Sequence, residues 1–225
     1  MVNEGGNMFS DATSFKHEMI PAIVDSVNTV LSKTGVKAIP IGSGATPTPG
    51  KVSGDLDLIV DQSELAQYFS IDDPKVIRKK LRQLFDLAGF ETGQSGVSVH
   101  VRVPMGDHAH QVDIMVTANA MDVSKFHTHA IPQGSKYKGV NKQIAMSYLA
   151  KQRGLKWSAF KGLLNRTDDS MVSKDVNDIA KILIGPNATA QDLGSVESIA
   201  NALPPQESAQ MMTDLKADPN WKELP

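Results

Sequence analysis

The sequence predicts an α/β protein in which a small mixed β-sheet, flanked by helices, is followed by a mostly α-helical C-terminal region. Apolar residues recur at helical spacing in residues 15–31 and 74–88. In residues 97–103 and 112–116 they alternate with other residues, as in a β-hairpin. The chain has 225 residues, of which 40% are hydrophobic, so it can bury the core that this fold class needs.

The predicted elements of the N-terminal half follow one another along the chain. They are a helix over residues 15–31, a strand over 36–41, a strand over 55–60, a helix over 74–88 and the hairpin of 97–103 and 112–116. Gly35 and Gly89 follow the two helices, where the chain is expected to leave a helix. Shorter helical patterns over residues 190–203 and 207–215 predict the helical C-terminal region.

Three aspartates lie within predicted strands. Asp55 and Asp57 are two residues apart, so their carboxylates point to the same face of the strand. Two like charges at this spacing are costly unless a cation lies between them, and a hard divalent cation prefers oxygen ligands. Asp113 lies between Val112 and Ile114, and a carboxylate in a buried strand also needs a partner. The three aspartates therefore predict a shared metal site.

A Gly-Ser pair, Gly42 and Ser43, follows the predicted strand over residues 36–41. Glycine lets the backbone approach a ligand closely, and a serine adds a hydroxyl group, so this pair is a candidate site for phosphate oxygens. The alternative is an ordinary turn, because such pairs are common there.

Together these residues resemble the DNA polymerase β-like nucleotidyltransferase superfamily, and most closely the family X DNA polymerases. The matching pieces are Gly42 and Ser43, a spacer of eleven residues, the Asp55 and Asp57 strand, and Asp113 on a later strand. The resemblance implies a nucleotidyltransferase palm and an enzyme. It also implies that the three aspartates are catalytic and hold two Mg²⁺ ions, which Mn²⁺ could replace, and that Gly42 and Ser43 bind the triphosphate.

The resemblance continues in residues 133–158, where a second Gly-Ser pair precedes a helical stretch. It implies that Gly134, Ser135 and Tyr137 border the nucleotide. The alternative for this pair is a helix cap. In the first loop the family usually has an arginine that contacts the triphosphate, whereas this chain has Lys51 as the cation, which we expect to contact the triphosphate instead.

Charge is distributed unevenly along the chain. Residues 124–166 contain nine Lys and Arg and no Asp or Glu, whereas residues 167–225 contain four and ten. A purely basic segment attracts a polyanion through counterion release, although it can also be a solvated helix face. The residues predicted to bind a DNA or RNA acceptor are Lys136, Lys138, Lys142, Lys151, Arg153, Lys156 and Lys161.

These patterns divide the chain into four segments. They are a flexible N-terminus (1–14), a palm domain (15–123), a basic nucleotide- and acceptor-binding subdomain (124–185) and an acidic helical tail (186–225). The tail could pack on the basic segment, compete with nucleic acid or bind a protein partner.

The predicted function is Mg²⁺-dependent transfer of a nucleoside monophosphate from an NTP or dNTP to the 3′-hydroxyl of a nucleic acid. One alternative is the same chemistry on a small-molecule or protein hydroxyl. Another is a binding or assembly protein without activity. The chain has no cysteine, no apolar run that could span a membrane and no signal peptide at its start, so a soluble cytoplasmic protein is expected.

Overall fold

The computed structural model describes residues 8–127, 135–137, 139–221 and 223. The chain forms two compact units, unit 1 over Met1–Ser124 and unit 2 over Lys125–Pro225. Each unit has its own cluster of buried apolar residues. Within the described ranges, no helix combines the length and the apolar character that crossing a membrane requires.

Helices and strands alternate in the first part of the chain. From residue 15 to residue 127 they are β1 (Phe15–Lys16), α1 (Ile20–Leu31), β2 (Ile39–Pro40), β3 (Val52–Ser53), β4 (Asp55–Asp61), α2 (Gln62–Phe69), α3 (Pro74–Leu87), β5 (Glu91–Ser95), β6 (Ser98–Met105), β7 (His108–Thr117) and α4 (Ala120–His127). Short 3₁₀ turns at His17–Met19 and Ser32–Thr34 flank α1.

Five strands of unit 1 form a mixed sheet in the order β2-β4-β7-β6-β5. Strands β4 and β7 are parallel, and the other neighbours are antiparallel. One face of the sheet packs against α1 and α3, whose residues Ile23 and Phe85 are fully buried there with Leu58 of β4 and Ile114 of β7. Burial of such side chains contributes about 1.5–3 kcal/mol each. Strands β1 and β3 form a separate antiparallel pair.

Several elements differ from their predicted extent. The first helix begins at Ile20, because residues 15–16 pair with β3 as a strand. The predicted strand over 36–41 contributes only Ile39 and Pro40 to the sheet, and a proline has no N–H with which to extend the ladder. Helix α2 and strand β5 were not predicted, because both are short and largely polar and so lack an apolar pattern.

Residues 8–14, which the sequence assigns to a flexible N-terminus, pack against the β6–β7 hairpin. The Thr13 N–H donates to the Ala109 carbonyl at 2.8 Å, and the Met8 N–H donates to Gln111 Oε1 at 3.0 Å. Phe9 is buried. The described part of this segment is therefore held by backbone hydrogen bonds and by an apolar anchor.

Unit 2 combines helices with a small sheet. From residue 139 to residue 216 its elements are α5 (Gly139–Gln152), β8 (Leu155–Ser158), β9 (Gly162–Asn165), β10 (Met171–Ser173), α6 (Val176–Leu183), α7 (Val196–Ala202) and α8 (Pro205–Lys216), with a 3₁₀ turn at Ala190–Leu193. The three strands form an antiparallel sheet in the order β10-β9-β8. The predicted mostly helical character of this region is thus observed, together with a three-stranded sheet.

The acidic tail is part of the core of unit 2. Leu193, Ile199, Met211 and Leu215 from the tail are buried in one cluster with Leu149 of α5 and other residues. Of the alternatives that the sequence left open for the tail, the structure shows packing on the preceding segment of the same chain.

Candidate active site

Strand alternation separates a polar face of the unit 1 sheet from the core. The aliphatic residues between and after the aspartates of β4 belong to the core cluster, so Asp55 and Asp57 point to the opposite face. The same alternation in β7 places Asp113 on that face. Because β4 and β7 are parallel neighbours with Asp57 paired to Asp113, the three carboxylates share one region of the sheet.

The pKa of Asp57 shows that the three carboxylates interact. Its pKa is raised from 3.8 to about 7, first by burial and then by the negative charges of Asp55 and Asp113. A carboxylate with such a pKa is destabilised in its ionised form unless positive charge is supplied. The three aspartates are therefore close enough to interact, as their spacing in the sequence predicts.

The donor set fits a hard divalent cation. Three carboxylates whose mutual repulsion raises a pKa are stabilised by a cation, and Mg²⁺ prefers such oxygen ligands. No three His, Cys, Asp or Glu side chains in the described ranges are already arranged to hold an ion. The sheet thus provides the ligands on one face, and a cation would have to draw the carboxylates together.

The first Gly-Ser pair lies beside Asp57. Gly42 has a positive φ of 57°, and a Cβ atom built on it would lie 3.5 Å from Asp57 Oδ2. The Ile41 N–H donates to the Asp57 carbonyl at 3.0 Å, which ties the turn to β4. Ser43 follows directly and is half-buried. The glycine therefore allows a left-handed backbone conformation next to the acidic face.

Asp113 is held by two side chains that the sequence analysis did not identify. Asp113 Oδ1 accepts hydrogen bonds from His100 Nδ1 at 2.7 Å and from Gln111 Nε2 at 2.9 Å. His100 is buried, and its Nε2 lies 2.6 Å from Ser95 Oγ. The period of β7 places Gln111 on the face of Asp113 and was a usable signal, whereas His100 faces Asp113 only through the β6–β7 register.

Lys51 lies at the end of the loop that follows Ser43. Its side chain is exposed, and its carbonyl accepts the N–H of His17 at 2.9 Å, so the backbone at this position is held by a hydrogen bond. Lys51 belongs to unit 1, as do Gly42 and Ser43.

The second Gly-Ser region belongs to unit 2, and Gly134 lies outside the described residues. Ser135 Oγ donates to Glu197 Oε1 at 2.5 Å. Tyr137 pairs with Glu223 in an isolated β-bridge, and its ring lies 5.3 Å from that of Trp221. The described residues of this region thus contact the C-terminal tail.

The cations predicted to bind an acceptor strand differ in their surroundings. Three form ion pairs with acids later in the chain, namely Lys136 with Glu223 (3.5 Å), Arg153 with Glu207 (2.9 Å) and Lys156 with Asp169 (2.9 Å). Lys151 and Lys161 are exposed. Lys138 lies outside the described residues.

Lys142 requires a correction. It is 5% exposed, its Nζ donates to the Phe126 carbonyl at 3.4 Å, and burial lowers its pKa to about 8. Three and four residues later, Ala145 and Met146 are also buried, so Lys142 shares the inward face of α5. Lys151 follows nine residues later, on the opposite face. Lys142 therefore cannot contact an acceptor strand as predicted.

No protein-family model and no curated protein matches the chain, but solved structures do. A ternary P/T complex of Leishmania infantum polymerase beta is 14% identical, with a TM-score of 0.50 over 81% of this chain and 72% of that chain. A ternary gap complex of the same polymerase is 14% identical, with a TM-score of 0.49 over 90% and 67%. A Cid1 poly(U) polymerase structure with Mg and 3′-dATP bound is 15% identical, with a TM-score of 0.36 over 64% and 46%.

At this identity the first of these similarities shows the fold. The chain has a polymerase β-like fold, as the resemblance of its motifs predicts. The predicted fold class, a mixed sheet flanked by helices and followed by a mostly helical region, is confirmed.

Proposed function

We propose that this protein is a Mg²⁺-dependent nucleotidyltransferase that transfers a nucleoside monophosphate from an NTP or dNTP to the 3′-hydroxyl of a nucleic acid. The observation that carries the proposal is the placement of Asp55, Asp57 and Asp113 on one face of two parallel strands, beside the Gly42 turn. The polymerase β-like fold supports the same class of chemistry.

In this proposal Asp55, Asp57 and Asp113 would hold two Mg²⁺ ions, which Mn²⁺ could replace. When bound, these ions supply positive charge that activates a hydroxyl group and neutralises phosphate oxygens. The raised pKa of Asp57 supports this assignment, because burial and the charges of Asp55 and Asp113 raise it, and a cation would favour the ionised form.

The reaction forms one P–O bond and breaks another. The acceptor oxygen attacks the α-phosphorus, and the bond from the α-phosphorus to the bridging oxygen of the β-phosphate breaks, so pyrophosphate leaves. Asp113 takes the proton of the acceptor hydroxyl. Gly42, Ser43 and Lys51 hold the β- and γ-phosphates.

The nature of the acceptor is the second part of the proposal. Lys151 and Lys161 are exposed and favour a nucleic acid, because exposed cations bind phosphates through counterion release. Arg153 and Lys156 are already paired with carboxylates, and an acceptor strand would have to replace those partners. This pairing favours the second candidate function, transfer to a small-molecule or protein hydroxyl.

The deciding experiment follows transfer of labelled nucleotides with Mg²⁺ or Mn²⁺ to primer alone, primer–template, gapped duplex and RNA. We expect extension of at least one acceptor, and a loss of about a thousandfold or more in an Asp55→Asn/Asp57→Asn variant, because electrostatic stabilisation of the transition state would be lost. Asp72→Asn is the matched control, since Asp72 is an exposed aspartate outside the site.

The acceptor panel also separates the two candidates. No extension of any nucleic acid, together with Mg²⁺-dependent binding of a triphosphate, would favour a small-molecule or protein acceptor. A protein that binds no triphosphate would contradict both, and the fold would then serve binding or assembly.

A further inference from the structure

A chain of hydrogen bonds runs from the buried imidazole of His17 to the hydroxyl of Ser43. The Thr48 N–H lies 3.0 Å from His17 Nδ1, and His17 Nε2 lies 2.8 Å from Ser53 Oγ. Ser53 Oγ lies 3.3 Å from Ser43 Oγ. His17 is 1% exposed, whereas both serines are half-buried. This series of hydrogen bonds thus leads from the protein interior to a hydroxyl group that is proposed to bind phosphate.

The direction of this chain follows from its first member. A backbone N–H can only donate, so His17 Nδ1 must accept from Thr48 and the imidazole proton is on Nε2. The Nε2–H then donates to Ser53 Oγ. The Ser53 proton has Ser43 Oγ within reach as its acceptor. With Ser53 as the donor in this contact, the Ser43 proton points away from Ser53.

The neutral imidazole is favoured by its surroundings. The pKa of His17 is lowered, first by burial and then by the charge of Lys51, although Glu18 acts in the opposite sense. The backbone around the chain is also fixed, because the Gly50 N–H donates to Glu18 Oε1 at 2.7 Å and the His17 N–H donates to the Lys51 carbonyl at 2.9 Å. The direction of the two hydrogen bonds of His17 is therefore determined by the folded loop.

We infer that His17 and Ser53 are positioning residues that orient the Ser43 hydroxyl as a donor to the β- or γ-phosphate of a nucleoside triphosphate. The inference rests on the proposed function and adds a device for phosphate recognition to it. A hydroxyl whose proton is already directed toward the anion needs no reorganisation on binding. Ser43 follows Gly42, whose Cα lies beside the Asp57 carboxylate, so the oriented donor is close to the acidic face.

The test measures equilibrium binding, by calorimetry on the full chain, of a non-hydrolysable NTP analogue and of the matching monophosphate in Mg²⁺. Ser43→Ala is expected to weaken analogue binding about tenfold, because a hydrogen bond to a charged group is lost. Ser53→Ala is expected to weaken it about threefold, because it removes only the orientation. Ser14→Ala, at an exposed serine before β1, is the control and should bind like the wild type.

The double variant separates a positioning role from a direct one. Ser53 acts through Ser43, so Ser43→Ala/Ser53→Ala should bind the analogue no more weakly than Ser43→Ala alone. Monophosphate binding should be the same in all variants. Because replacing a buried histidine could disturb the fold, His17 is tested in the wild type, where ¹H–¹⁵N NMR should find its ring proton on Nε2.

The outcomes distinguish the inference from the function on which it rests. A wild-type protein that binds no triphosphate would overturn both. Analogue binding by the wild type that is unchanged in Ser53→Ala would overturn the inference alone, as would additive losses in the double variant. A His17 ring proton on Nδ1 would also overturn it, because Nδ1 could then not accept the hydrogen bond from the Thr48 N–H.

Discussion

Asp57 has a pKa of about 7, raised first by burial and then by the charges of Asp55 and Asp113. A group whose pKa is raised in the folded state stabilises the fold below its unfolded pKa, and this stabilisation is lost as the pH rises through the folded value. The metal-free protein should therefore lose stability between about pH 4, near the unfolded pKa, and about pH 7. Asp57→Asn removes the charge and should be more stable than the wild type at pH 8 by roughly 1–3 kcal/mol.

Urea unfolding with a chelator present, followed by circular dichroism at pH 4 and pH 8, measures this difference. At pH 4 the gain should be small, because this pH is close to the unfolded pKa of Asp57 and ionisation does not yet favour the unfolded chain. Asp72→Asn should show no such pH dependence. An Asp57→Asn variant whose advantage is equal at both pH values would mean that the carboxylates do not repel one another.

The two-residue period of a strand made the shared face of the aspartates predictable. It did not predict which side chains contact them. A spacing of two residues places Asp55 and Asp57 on one face in any strand, whatever its partner is. His100 reaches Asp113 only because a tight turn between β6 and β7 pairs these two residues. Alternation alone does not fix which residues face each other across a hairpin. The same limit applies to His17, whose contacts with Thr48 and Ser53 depend on how the loop folds back.

Helix α5 shows how a basic segment can mislead when only its charge is counted. Lys142 lies on its buried face and has a pKa lowered to about 8 by burial. A lysine whose pKa is lowered costs stability once the pH falls below its unfolded value of 10.5, and the cost is complete below the folded value of about 8. Lys142→Met should therefore stabilise the protein by about 1 kcal/mol at pH 7, because a buried charge is replaced by an apolar side chain of similar length. At pH 10.5 the gain should disappear.

Lys151→Met is the matched control on the exposed face of α5. It should leave stability unchanged at both pH values, but if the acceptor is a nucleic acid it should weaken binding and reduce the salt slope by about one. Thermal unfolding and salt-dependent binding test the two variants. Destabilisation by Lys142→Met would show that its hydrogen bonds outweigh the cost of burial.

The inward face of α5 was readable from the sequence. The helical spacing of Lys142, Ala145, Met146 and Leu149 indicates it, whereas the count of charges ignored this spacing.

The C-terminal tail looked like an appendage because its composition is acidic and prolines interrupt its helical patterns. Its apolar residues, however, are buried in the core of unit 2 beside Leu149. Two of its acids contact the preceding segment: Glu207 forms an ion pair with Arg153, and Asp214 accepts a hydrogen bond from the Tyr148 hydroxyl. Composition describes the exposed side of such helices. Which helix covers which apolar surface depends on tertiary packing, which short patterns do not specify.

Two units with separate cores should unfold in separate transitions, and the chain carries a convenient reporter of this behaviour. Both tryptophans, Trp157 and Trp221, belong to unit 2, whereas the three aspartates belong to unit 1. Tryptophan fluorescence therefore follows unit 2 alone, and far-UV circular dichroism follows both units. Mg²⁺ at about ten times its dissociation constant should stabilise unit 1 by about 1.4 kcal/mol, and so shift its melting temperature by a few degrees. The fluorescence transition should stay in place.

The comparison is made at pH 8, where Asp57 is largely ionised and the cation has most to offset. In Asp55→Asn/Asp57→Asn, Mg²⁺ should shift neither signal, because the ligands are gone while both cores remain. An equal shift of fluorescence and circular dichroism in the wild type would show that the two units unfold as one. In that case metal binding at the aspartates would stabilise the whole chain. A substitution at Asp57 would then also change the stability of unit 2, which contains Lys151 and Arg153.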